Sequence, residues 1–164
     1  MASGDTLAVF DAREAILPAT NFPQFVLRNL HPVLAFDTTT QETALFGGWM
    51  PSNYAGGNLV VTLIWQAQSA VSGTIGWGVT FERQNIGVLD ADVDHFATEQ
   101  IVTAATVSAT SGIRSQSSVT CVAGAAGTDS VAAGEPFRLR VRRNVAVDTA
   151  TGDAQLTAVV IAEA

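Results

Sequence analysis

Between Thr74 and Gln84 the chain reads TIGWGVTFERQ, and its large apolar residues fall on every second position. Ile75, Trp77, Val79 and Phe81 share one side, and Gly76, Gly78, Thr80 and Glu82 share the other. A repeat of two belongs to a strand with one buried face, whereas a helix repeats near 3.6. Phe137–Val145 (FRLRVRRNV) has the same period, with Phe137, Leu139 and Val141 opposed to Arg138, Arg140 and Arg142. A chain with two such strands must pair each of them and cover its apolar face with another layer.

The rest of the sequence supplies the partners. Val33–Asp37 follows His31-Pro32, and proline favours an extended entry. Thr43–Trp49 stops at Met50-Pro51, before a loop rich in glycine and asparagine. Leu59–Ala67 is β-branched and aromatic. Gln100–Ala109 and Ser115–Ala123 flank Thr110-Ser111-Gly112, which reads as a hairpin turn. Gln155–Ile161 comes last. These segments predict eight antiparallel strands in two packed sheets over residues 31–164. The expected fold is an all-β sandwich, most simply a jelly roll, with an immunoglobulin-like sandwich as the rival topology. Leu89–Ala97 has room for one helical turn. Residues 1–30 mix apolar side chains with Pro18 and Pro23 and read as an extended N-terminal arm, with a short helix near Ala12–Ile16. Such an arm covers the sandwich or reaches a neighbour.

Composition narrows the function. Of 164 residues 48% are hydrophobic and 14% charged, enough apolar material for one real core. No apolar run approaches the ~18 residues of a membrane span. The start MASGDTLAVFDARE lacks the basic and apolar blocks of a secretory signal, so none is expected. Net charge is −7 and every basic residue is arginine. An acidic surface repels nucleic acid and anionic membranes, so neither is an expected partner. The single Cys121 has no internal disulfide mate, which fits a reducing cytoplasm.

Three segments carry a resemblance: HPVLAFDTTTQETALFGGWMPSNYAGG, GTIGWGVTFERQ and AAGEPFRLRVRRN. The order is a strand, an acidic-threonine turn at Asp37-Thr38-Thr39, a small-residue strand and a Pro51–Gly57 loop. Strands Trp77–Arg83 and Phe137–Arg143 follow, then DTATGDAQL at Asp148–Leu156. Over residues 7–162 this pattern resembles a family of small proteins from tailed-bacteriophage structural gene clusters. The resemblance implies a virion structural protein, a head decoration or cement protein assembled in the host cytoplasm and displayed on the head surface. It implies the major capsid protein and other copies of this chain for partners, and a cement role at a local threefold axis makes a homotrimer the expected assembly. It brings no catalytic residues and no cofactor.

The residues themselves offer a few candidate sites. Leu7, Val9, Phe10, Phe22 and Phe25 of the arm are candidates for assembly contacts. Arg138, Arg140 and Arg142, extended by Arg143, form the one basic stripe. It either meets an acidic partner or pairs locally. In a jelly roll its strand lies beside the one carrying Glu82, and cross-strand opposite charges attract. Trp49 and Tyr54, near the glycine-rich loop, could stack on a sugar in a tail or head fibre module. Trp65 and Trp77 share faces with aliphatic residues and read as core. Asp90, Asp92 and Asp94 imitate the start of a calcium loop, but His95 stands where that loop needs glycine and Ile101 where it needs glutamate. They read more simply as a solvated acidic loop. Ser111, His95 and Asp94 make a triad only on paper, with no nucleophile turn to support it. Cys121 lies in an alternating strand and reads as a packed small residue. No enzyme follows from these residues.

Overall fold

The computed structural model describes residues 4–164. Ten strands build two antiparallel sheets: β1 (Thr6–Asp11), β2 (Gln24–Arg28), β3 (His31–Phe36), β4 (Thr43–Trp49), β5 (Leu59–Ala67), β6 (Thr74–Arg83), β7 (Gln100–Thr106), β8 (Ser115–Cys121), β9 (Pro136–Arg143) and β10 (Ala154–Glu163). The larger sheet runs β2-β3-β10-β5-β8, with β1 also on β10; the smaller runs β4-β9-β6-β7. The eight strands expected from the sequence are β3 to β10. Their order, β3-β10-β5-β8 facing β4-β9-β6-β7, is that of a jelly roll. Each connection from β3 onward passes from one sheet to the other, except β6 to β7.

That rule corrects the expected hairpin at Thr110–Gly112. β7 pairs β6 in the smaller sheet, while β8 pairs β5 in the larger one. The turn is an arch over the side of the sandwich. Gly112, at φ +81°, donates its N–H to the carbonyl of Ala67. A glycine turn signal marks a reversal of the chain, not which sheet receives it.

The two sheets close on one core. Phe36, Phe46, Trp65, Trp77, Phe81 and Phe137 are fully buried in it. Phe36 meets Trp77 edge to face, with centroids 5.1 Å apart, a geometry that favours the ring quadrupoles. Trp65 donates Nε1–H to Ser117 Oγ at 2.9 Å. Both tryptophans are core, as their strand faces require.

Within the expected arm of residues 1–30, the described residues 4–30 are not detached from the sandwich. Residues 1–3 lie outside the described residues. Thr6–Asp11 and Gln24–Arg28 are strands of the larger sheet: β1 pairs the second half of β10, and β2 pairs β3. Between them Ala12–Glu14 forms a single 3₁₀ turn with a capping box, Asp11 accepting from Arg13 N–H and Glu14 from Asp11 N–H. Ile16 then bridges Leu45 on the edge of β4 through two backbone hydrogen bonds of 2.8 and 3.0 Å. The segment covers the open side of the sandwich. Leu89–Ala97 contains turns and no helix.

Candidate functional site

The arginine stripe stands on β9, in the middle of the smaller sheet. Alternation turns Arg138, Arg140 and Arg142 to the outer face and Phe137, Leu139 and Val141 into the core. On one side β9 faces β6 with Arg138 opposite Glu82, as the jelly-roll order predicts. Arg138 Nε lies 2.5 Å from Glu82 Oε2. The loop after β6 then returns across this face and places one partner over each arginine. Asp94 reaches Arg138 at 2.9 Å. Phe96 lies under Arg140, whose guanidinium carbon is 4.5 Å from the ring centroid, a cation–π geometry. Glu99 forks onto Arg142. The stripe is satisfied within its own chain, so the structure gives it the local role and not that of a vacant assembly contact.

Glu82 is the buried centre of this strap. Its carboxylate is inaccessible. Burial pushes its pKa up, but the bond from Arg138 and the N–H of His95 at 2.9 Å outweigh that, and the net direction is downward. His95 is thus placed by its backbone. Ser111 lines a separate hollow with Arg28 and His31, whereas the hollow beside His95 is lined by Arg83 and Asp129. Ser111, His95 and Asp94 do not converge. Asp90 caps its own turn through Asp92 N–H at 3.0 Å, and Asp94 is engaged by Arg138. Among the described residues, no three metal-ligating side chains gather into a group.

Arg143, read as an extension of the stripe, points the other way. It is fully buried and ion-paired to Asp148, and it donates to the carbonyls of Phe36 and Gly152 at 2.9 Å each. It ties the ends of β3, β9 and β10 together. Beside it Asp37 accepts from Thr39 N–H, Thr39 Oγ1–H and Thr40 N–H, which lowers its pKa to about 2. Cys121 is buried, and burial raises its thiol pKa to about 12, so it is no nucleophile.

The loop candidates separate. Trp49 ends β4 with 63% of its surface exposed, on the same outer face as the arginines. Tyr54 is buried, with its hydroxyl donated to the carbonyl of Gly57, and burial raises its pKa. The expectation that Tyr54 presents a stacking face is corrected: the short loop folds its ring back onto the core.

The N-terminal candidates also divide, by strand parity. On β1, Phe10 faces inward and is buried against Phe46 and Phe137, which removes it from the assembly candidates. Leu7 is half-buried against the core. Val9, one position from Phe10, is 57% exposed. Ile16, Leu17, Phe22, Phe25, Val26, Leu27 and Leu30 are exposed as well. The sequence singles out Phe22 and Phe25, and points to the aliphatic residues around them only as part of the apolar stretch of residues 1–30. The absence of any acidic residue from Ala15 to Phe36, in a chain with fifteen, was the available signal. A hollow of ≈ 290 Å³ lies between the 3₁₀ turn with the segment after it and strands β2 and β3, lined by Ala12, Arg13, Ala15, Leu17, Phe25 and Leu34. This apolar belt is the best-developed candidate contact surface.

Sheet order, strand count and the covered core define an all-β jelly-roll sandwich. No family model matches the chain, and no curated protein matches it. Among solved structures it is similar to the CBM22-1–GH10 modules of Clostridium thermocellum endo-1,4-β-D-xylanase 10B, crystallised with xylohexaose. The likeness has a TM-score of 0.54 at 11% identity and covers 96% of this chain but 28% of that one. At that identity it speaks for the sandwich fold alone.

Proposed function

We propose that this chain is a non-enzymatic virion structural protein, a decoration or cement protein on the head of a tailed bacteriophage. It binds the major capsid protein and further copies of itself, and is added to the head surface in the host cytoplasm. The phage assignment rests on the resemblance of the three sequence segments. The structural observation that supports an assembly role is the set of exposed apolar side chains from Val9 to Leu30, in a chain whose arginine stripe is occupied from within by Glu82, Asp94, Phe96 and Glu99. Exposed apolar side chains gathered along one stretch of a small domain fit a contact with another macromolecule. Its work would be mechanical, adding contacts across capsomer junctions against the pressure of packaged DNA.

Co-sedimentation with phage heads stripped of their minor proteins tests this. Saturable binding is expected, and the double substitution Val9→Ser, Ile16→Ser should weaken it by about tenfold or more, since each buried aliphatic side chain contributes about 1.5–3 kcal/mol. Wild-type protein that stays in the supernatant at every concentration refutes the reading.

The exposure of Trp49 favours a second reading, a fibre module that binds a host glycan. The solved neighbour named above contains a CBM22-1 module beside its GH10 module and was crystallised with xylohexaose. Trp49→Ala should then abolish host-cell binding with an unchanged melting temperature. A glycan array with no hits counts against it.

A further inference from the structure

The strand β2 is the outermost of the larger sheet and pairs with β3 alone. Its register fixes which of its backbone groups are free. Asn29 and Leu30, both at positive φ, form a two-residue turn that closes on Arg28 and His31. Hydrogen-bonded pairs then alternate from that closing pair, so Leu27 opposite Pro32 falls on a pair without hydrogen bonds. Pro32 has no N–H to give, which agrees. The N–H and C=O of Phe25 and Leu27 therefore face away from β3, toward the open edge.

Sheet edges are usually guarded by charge, proline or a covering segment. The edge of β4 is covered by the Ile16 bridge. On β2 nothing performs that task among the described residues. Phe25, Val26 and Leu27 are consecutive and are 46%, 37% and 59% exposed. The strand's single charge, Arg28, is turned back on its own sheet, with its guanidinium on Ala67 O at 3.0 Å and Gln155 Oε1 at 2.9 Å.

We propose that β2 pairs antiparallel with β2 of a second copy of this chain, about a twofold axis at Val26. A strand meets its own copy antiparallel across such an axis, giving a closed, isologous contact. Phe25 then lies opposite Leu27 of the second copy, and Leu27 opposite its Phe25. The four outward groups of each strand meet their complements and form four backbone hydrogen bonds. Gln24 faces Arg28 of the second copy, so no like charges are opposed. The same register sets Leu30 at the hairpin tip, 84% exposed, against Phe22 of the second copy, itself 41% exposed.

The area is sufficient. With about 150–250 Å² per aromatic side chain and less per aliphatic one, the exposed parts of Leu17, Phe22, Phe25, Val26, Leu27 and Leu30 offer on the order of 500 Å² per copy. A stable interface takes about 800 Å² per partner, and the β2 backbone, Gln24 and Asn29 supply the remainder. Two chains of net charge −7 repel, yet this stretch contains no acidic residue. The contact is twofold, in place of the trimer expected from the sequence.

Light scattering on the purified full chain decides the matter. The expected mass is about 34 kDa, twice the 17.1 kDa chain. Val26→Lys puts two ammonium groups at the axis and should halve that mass without lowering the melting temperature of the diluted, monomeric protein. Val122→Lys adds the same charge at a loop residue that is 59% exposed and should leave the dimer intact. If Val26→Lys does not fold, Leu27→Pro removes one outward N–H and none that β3 uses. A wild-type mass of 17 kDa at all concentrations, a mass near 51 kDa, or a dimer indifferent to these edge substitutions overturns the proposal. The outcome is separable from the head-binding reading. A dimer that ignores heads defeats that reading alone, and a monomer that binds heads defeats this one alone.

Discussion

The outer face of the smaller sheet and the open edge of the larger one solve opposite problems. The first has three arginines on one strand, and the chain returns over them with Asp94, Phe96 and Glu99. The second has apolar residues on an edge strand, and nothing in the described chain returns over them. Charge drew attention in the sequence because it is conspicuous, yet the charged surface is the self-sufficient one. A contact surface is marked by what remains unsatisfied after folding, not by the residue type that occupies it.

The sharpest way to break this contrast is to remove Arg143. Its loss leaves the buried Asp148 carboxylate without its cation, held among the described residues by the Gly76 N–H, and strips hydrogen bonds from two carbonyls. Breaking a buried pair on one side costs about 3–5 kcal/mol. Arg143→Ala should therefore lower the urea midpoint severely or prevent folding. Leu27→Ser on the edge should change the stability of the monomer by less than about 0.5 kcal/mol. Comparable losses from the two would mean that the edge is part of the core after all.

Next in size is the strap. Arg138→Met keeps the aliphatic stem but strands the carboxylate of Glu82 in a closed site, and about 2–3 kcal/mol of stability should go with it. Glu82→Gln in the same background should restore part of that loss, because a neutral amide tolerates burial where a carboxylate does not. Failure of the second change to rescue the first, in denaturant titrations of all four forms, would show that the strap acts by packing alone. The expected direction also depends on pH. A carboxyl whose folded pKa lies below its unfolded value stabilises above the unfolded value, and that stability is lost as pH falls through the folded one. For Asp37, held near 2 against an ordinary 3.8, the loss falls between about pH 4 and pH 2. Asp37→Asn keeps the acceptor oxygen and should flatten acid unfolding in that interval. An unchanged acid limb would place the acid sensitivity elsewhere.

What the sequence disclosed follows the same division. Strands β3 to β10 were legible because each has a covered face, and covering imposes a period of two. The neighbour relation of Glu82 and Arg138 was legible once a jelly roll was assumed. β1 and β2 were not read as strands. β2 is exposed on both faces, so its FVL run has no alternation, and Pro18 and Pro23 suggested an irregular path. The arch at Thr110–Gly112 and the inward fold of Tyr54 depend on which sheet receives the chain, which no local pattern encodes. The partners of Arg138, Arg140 and Arg142 come from a loop whose spacing resembled a metal motif. Carboxylates aimed at guanidinium groups and carboxylates aimed at a cation are alike in a single sequence.

The smallest effect concerns the tip of the β2–β3 hairpin. Leu30 sits at φ 65° beside Asn29 at φ 46°. That pair of values suits a tight two-residue turn whose second position is ordinarily glycine. For leucine the left-handed region costs about 1–2 kcal/mol, and the side chain recovers nothing in the monomer, since it is 84% exposed. Leu30→Gly removes the strain and adds some flexibility to the unfolded chain, about 0.5–1 kcal/mol in the opposite sense. The net expectation is a gain of about 0.5 kcal/mol for the monomer, measured by denaturant unfolding in the Val26→Lys background, where the edge is silent. In the wild-type background the same change should weaken self-association, because it removes the apolar tip that faces Phe22 of the second copy. A residue that strains its own fold yet strengthens a contact between folds is what a binding edge requires. If Leu30→Gly stabilises the monomer and leaves the dimer as tight as before, the tip lies outside the interface and the pairing must be confined to Gln24–Arg28.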